Sequence, residues 1–130
     1  MPTPAGPIKV FLADDSLLIC DRISALLSAA GMTVVGRAAS PQACFDGILA
    51  GRPDVVVLDV QLLGGAGLEV MRTVRLAAPE VAFVVFSNNS GPAYRRRYLA
   101  EGALQFVDKS TQFGELAQAV ARAGSQPVTH

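Results

Sequence analysis

Asp14 and Asp15, Asp59, Ser87 and Lys109 are spread along most of the chain, and each stands where a run of apolar residues ends. If the chain gathers them in one place, three carboxylates share a small volume with one hydroxyl and one ammonium. Clustered carboxylates raise one another's pKa unless a cation joins them. A hard divalent ion fits, and Mg²⁺ usually takes one or two carboxylates, waters and a phosphoryl oxygen. Mg²⁺ and Lys109 together would balance the three negative charges. Such a site suits a phosphoryl group. An aspartate can be the nucleophile, giving an aspartyl phosphate, while metal and lysine neutralise the equatorial oxygens of the in-line transition state.

The elements that must position these residues are legible as alternating apolar strands and amphipathic helices. Val55-Val56-Val57-Leu58 is rich in β-branched residues and reads as a strand buried on both faces, ending at Asp59. Ile8–Ala13 precedes Asp14-Asp15, Thr33–Ala38 is a second strand, Val81–Phe86 precedes Ser87, and Leu104–Val107 precedes Asp108-Lys109. Ser16 caps a first helix that turns Ile19, Ile23, Leu26, Leu27 and Ala30 inward and stops at Gly31. Ser40 and Pro41 open a second, running to Gly51, with Ala43, Phe45, Ile48 and Leu49 inward. A glycine-rich loop, Val60 to Gly67, leads to a third helix over Leu68–Ala78. Pro92–Glu101 is a fourth, and Ser110 or Thr111 caps a fifth that runs to about Arg122. Five strands alternating with five helices argue for a doubly wound, flavodoxin-like parallel sheet of order 2-1-3-4-5. In that order the polar strand ends face one crevice at the carboxyl edge, where open α/β sheets bind ligands.

Composition narrows the rest. The 130 residues are 51 % hydrophobic and 17 % charged, with 11 basic and 11 acidic side chains, so no global field favours nucleic acid. No apolar run approaches the ~18 residues of a membrane span. Residues 1–7 read as a disordered lead, 8–123 as one domain and 124–130 as a polar tail or the start of a linker. Cys20 and Cys44 fall on separate helices and read as reduced thiols of a cytoplasmic protein. Gly64-Gly65-Ala66-Gly67 is neither a P-loop nor a dinucleotide fingerprint. Arg95-Arg96-Arg97 is a solvated helix face in a neutral chain.

Asp14-Asp15, Asp59, Ser87 and Lys109, with Phe106 three residues before the lysine, resemble the receiver domain of bacterial two-component response regulators over about Ile8 to Ala123. The resemblance implies that Asp59 accepts a phosphoryl group from a histidine kinase or histidine phosphotransfer protein. It implies Mg²⁺ on Asp15, Asp59 and the main-chain carbonyl of Gln61, with Asp14 acting through a metal-bound water. It implies that Lys109 pairs with the phosphoryl group, that Ser87 hydrogen-bonds it, and that Phe106 changes position with Ser87. Phosphorylation would then act on a downstream protein or on self-association through helix four, strand five and helix five, where Arg95 and Leu99 share a face. No membrane and no direct nucleic-acid contact are expected of this chain. Leu62 and Leu63, Asn88 and Ser110 depart from the residues common in the family at those places.

Two other readings use the same fold. A phosphatase of the haloacid dehalogenase type also forms an aspartyl phosphate, but wants a second aspartate where Gln61 stands. A flavin-binding protein wants a Ser/Thr-rich phosphate loop after the first strand, where Asp14-Asp15 stand.

Overall fold

Alternation along the strands decides which helix covers which face. In the computed structural model, which describes residues 6–89 and 91–125, the strands are β1 (Lys9–Ala13), β2 (Thr33–Ala38), β3 (Val55–Leu58), β4 (Ala82–Ser87) and β5 (Gln105–Asp108). They form one parallel sheet of order β2-β1-β3-β4-β5. Successive side chains point to opposite faces. Val10, Leu12, Val55, Val57, Val84 and Phe86 face one side, against Cys20, Ile23 and Leu27 of α1 (Leu17–Ala29) and Leu116, Ala119 and Val120 of α5 (Leu116–Ser125). Phe11, Ala13, Val56, Leu58, Phe83 and Val85 face the other, against α2 (Pro41–Gly51), α3 (Gly67–Ala77) and α4 (Pro92–Ala100). The order is the expected one, and it brings the ends of β1, β3, β4 and β5 side by side.

The first two helices start at their caps. Ser16 Oγ accepts from the Ile19 N–H at 3.2 Å and Ser40 Oγ from the Ala43 N–H at 3.3 Å, each satisfying an amide that the helix cannot. Local pattern fails at α2. The residues it buries are Cys44 and Ile48, while Ala43 and Leu49 lie outward and Phe45 is only partly covered. The reason is Gly47, where a Cβ would lie 2.7 Å from the Phe11 ring. The helix settles on that ring, which rotates Cys44 and Ile48 inward.

At the fifth helix, Ser110 and Thr111 are not its caps. The Asp108 carboxylate accepts from the amides of Ser110 (2.8 Å) and Thr111 (3.1 Å) and from the Ser110 hydroxyl (2.6 Å). This turn delays the helix; a 3₁₀ turn over Phe113–Glu115 leads into α5, which continues to Ser125. The Val60–Gly67 loop holds a short antiparallel ribbon, Gln61–Leu62 with Gly65–Ala66, turned at Gly64 with φ +86°. The lead and the tail fall largely outside the described residues, at 1–5 and 126–130. No described helix is long and apolar enough to cross a membrane.

Candidate functional site

The carboxyl edge is locked by main-chain bonds between neighbouring strand ends. The Asp59 N–H donates to the Ala13 carbonyl at 2.9 Å, the Asp14 N–H to Ala38 at 3.1 Å and the Lys109 N–H to Ser87 at 3.0 Å. Asp14, Asp59, Ser87 and Lys109 therefore converge because their strands are in register, with no loop needed to fetch them.

Lys109 Nζ donates to Asp14 Oδ2 at 2.6 Å and to Asp59 Oδ2 at 2.9 Å. All three side chains are nearly buried, at 8 %, 5 % and 13 % exposure. Carboxylate oxygens of Asp14, Asp15 and Asp59 lie within 4.8 Å of one another, and Asp15 is exposed at the mouth. Burial pushes the Asp14 carboxyl up, against the pull of its hydrogen bonds with Lys109 and the Ser16 amide. For Lys109 burial acts downward, but the hydrogen bonds to Asp14 and Asp59 outweigh it and the ammonium is held up. One ammonium against three carboxylates leaves an excess of negative charge around hard oxygen donors. That donor set fits a hard divalent cation such as Mg²⁺.

Ser87 is buried at the end of β4, and its Oγ accepts from the Asn89 N–H at 3.0 Å. That bond leaves the hydroxyl proton to donate elsewhere. Gln61 is exposed just beyond β3, and its N–H donates to Asp59 Oδ1 at 3.4 Å. Phe106 points into the core with 6 % exposure.

Three features had no local signal. Gly67 opens α3 so close to the site that a Cβ there would sit 2.1 Å from the Asp59 carbonyl oxygen. Arg95 is not simply solvated: its Nη1 donates to the Phe106 carbonyl at 3.2 Å and its guanidinium lies 4.9 Å from that ring's centre. The two tyrosines of α4 part company, Tyr94 exposed and Tyr98 buried. A separate cleft at the opposite edge of the sheet, lined by Ile48, Arg52, Ala77 and Ala123 among others, includes none of these residues.

Residues 10–121 match the response regulator receiver domain family. The chain belongs to that family. Over 119 residues this receiver domain is 33 % identical to the DNA-binding transcriptional activator DevR/DosR of Mycobacterium tuberculosis, covering 91 % of this chain and 55 % of that protein. It is 30 % identical over 116 residues to a protein-glutamate methylesterase/protein-glutamine glutaminase of Nocardioides, covering 87 % of this chain and 32 % of that enzyme. Among solved structures, a LuxR-family two-component response regulator from Aurantimonas superposes with a TM-score of 0.86 at 26 % identity, covering 95 % of this chain and 90 % of that one. The receiver domain spans about half or less of the length of these two curated relatives. It is a phosphoacceptor module of two-component signalling, and nothing in the matches supports the phosphatase reading.

Proposed function

We propose that Asp59 is the residue that takes the phosphoryl group. The observation that carries this is the bridging of Lys109 Nζ between Asp14 and Asp59 at 2.6 and 2.9 Å, with Asp15 alongside. Asp59 is the member whose strand is central, with β1 on one side and β4 on the other. Asp15 and Asp59, with the Gln61 carbonyl, would hold Mg²⁺, and Asp14 would reach it through a water. When bound, the ion neutralises charge on the transferring group.

The chain's own residues do the rest. An Asp59 oxygen bonds to phosphorus as the bond to the donor's histidine nitrogen breaks. Lys109 exchanges one carboxylate for a phosphoryl oxygen, an anion of greater charge in the same reach. Ser87 donates its free hydroxyl proton to another phosphoryl oxygen, and the space it leaves behind β4 lets Phe106, already turned into the core, shift toward it. α4, tied to Phe106 by Arg95, follows, so that the α4–β5–α5 face changes for a downstream protein or a second copy. Leu99, with 41 % exposure, lies on this face.

The phosphodonor is a histidine kinase or phosphotransfer protein of the cytoplasm. Leu17 and Leu18, exposed at 71 % and 69 % just after Asp15 and Ser16, give it an apolar ledge at the mouth of the site. On this reading the domain catalyses only its own phosphorylation and dephosphorylation, and touches no nucleic acid itself.

Incubation with Mg²⁺ and acetyl phosphate, followed by intact mass, tests the assignment. The wild-type chain gains the mass of one phosphoryl group, Asp59→Asn gains none, and Asp15→Ala loses the Mg²⁺ dependence. Phosphorylation of Asp59→Asn at the wild-type rate would place the acceptor elsewhere.

A further inference from the structure

α3 begins without a cap of its own. Its N-cap residue is Ala66, which offers no side-chain bond to the first turn, although an unpaired amide in a covered helix start is costly. The missing acceptor comes from α4. The Leu68 N–H donates to the Tyr98 hydroxyl at 3.1 Å, and that hydroxyl donates to the Val60 carbonyl at 3.4 Å. The same carbonyl accepts from the Gly67 N–H at 2.9 Å. A closed ring of hydrogen bonds thus joins the entry of the loop, its exit and α4. Tyr98 is 3 % exposed, and its ring meets Phe106 edge-to-face at 6.4 Å.

The Val60 carbonyl shares one rigid peptide plane with the Gln61 N–H, and in a trans peptide the two point in opposite directions. The Gln61 N–H is the donor to Asp59 Oδ1. Holding the carbonyl therefore aims the N–H, and the N–H aims the carboxylate. We propose that Tyr98 is a positioning residue for the acceptor: its hydroxyl, together with the Gly67 N–H, fixes the Val60–Gln61 peptide and so links the seating of α4 to the orientation of the Asp59 carboxylate. This rests on Asp59 being the acceptor. Linkage of this kind is reciprocal. Whatever occupies Asp59 shifts α4 through this peptide, and whatever moves α4 changes the reactivity of Asp59.

The test uses the full chain with Tyr98→Phe, which keeps the ring against Phe106 and removes only the hydroxyl. Tyr94→Phe, an exposed hydroxyl one turn earlier on the same helix, is the comparison. Phosphorylation by acetyl phosphate is timed by intact mass across a Mg²⁺ series. Amide hydrogen exchange of the α4 peptide is measured with and without beryllofluoride and Mg²⁺. Loss of about one hydrogen bond predicts roughly fivefold slower phosphorylation in Tyr98→Phe, with the beryllofluoride-dependent change in α4 exchange reduced by more than half. Tyr94→Phe should match wild type in both.

A second variant separates positioning from capping. Ala66→Ser supplies α3 with its own cap, since Ala66 has the extended backbone that an N-cap serine adopts (φ −99°, ψ 148°). In the double variant stability should return while phosphorylation stays slow. The inference is overturned if Tyr98→Phe phosphorylates within twofold of wild type, if its α4 response is unchanged, or if Ala66→Ser restores the rate as well as the stability. Phosphorylation of Asp59→Asn is a different result: it would remove the acceptor assignment itself, whatever Tyr98 does.

Discussion

Lys109 and Asp14 stand 95 positions apart in the chain, and their charged atoms are 2.6 Å apart although β3 and β4 lie between their strands. Without that ammonium, Asp14 and Asp59 would face each other nearly dry. The lysine therefore has a structural duty before any phosphoryl group arrives, namely to keep the metal-free site intact.

Lys109→Met should lower the stability of the metal-free domain by roughly 3 kcal/mol at neutral pH, because removing one partner leaves buried charges uncompensated. Protonating a carboxylate relieves the repulsion, so the deficit should shrink on acidification, and saturating Mg²⁺ should shrink it too. Urea unfolding at two pH values with and without Mg²⁺ measures all three. A deficit that is indifferent to pH and to Mg²⁺ would mean that the lysine acts through packing alone.

Asp14 makes a signed pH prediction. Its folded pKa lies above the ordinary value of 3.8. The folded state then binds the proton more tightly than the unfolded state, so Asp14 weakens the metal-free fold as pH rises from the ordinary carboxylate range through the raised value. Asp14→Asn cannot ionise and lacks this slope. In EDTA its stability should gain on wild type as pH rises toward neutral and then level off. If wild type gains instead, the pairing with Lys109 outweighs burial at Asp14.

Gly67→Ala should cost about 1–3 kcal/mol, since a Cβ 2.1 Å from the Asp59 carbonyl oxygen forces α3 away from the end of β3. Phosphorylation should slow as well, because the displaced backbone belongs to Asp59, the proposed acceptor. An alanine variant with wild-type unfolding and wild-type phosphorylation would show that the helix start moves freely.

Arg95 and Leu99 share a face of α4 but call for different tests. Leu99→Asp should leave stability within about 0.5 kcal/mol and weaken beryllofluoride-dependent association with a partner or a second copy. Arg95→Ala should cost stability by about 1 kcal/mol, through the lost bond and ring contact with Phe106. An Arg95 variant alone therefore cannot report on the surface. If Leu99→Asp associates as wild type does, the output face lies elsewhere.

The strands and the residues at their ends were legible because both signals are local. Val55–Leu58 is apolar throughout, and Asp59 follows at once. Parallel register then carries each strand end to the same edge. Most of the features that escaped have remote partners. Tyr98 bonds residues 30 and 38 positions away, so nothing in its own helix separates it from Tyr94. Arg95 finds its ring in the next strand. In α2 the buried face is marked by a cysteine and by the gap that Gly47 leaves for Phe11, and a count of large apolar residues sees neither. Ser110 and Thr111 have the composition of helix caps, but the carboxylate of Asp108 reaches their amides first.

The two cysteines sit one to each half of the core, with the sheet between them. Cys20 is on the inner face of α1, with its thiol toward the Asp14 carbonyl, and Cys44 is on α2, with its thiol toward that of Ala38. Burial pushes both thiols up, Cys44 to about 12, so neither is reactive until its own side opens. The domain thus contains two separate clocks. The rate at which each thiol takes an alkylating reagent times the opening of one layer of helices independently of the other. A phosphoryl mimic that loosens only the layer holding α4 would quicken Cys44 and leave Cys20 at its resting pace.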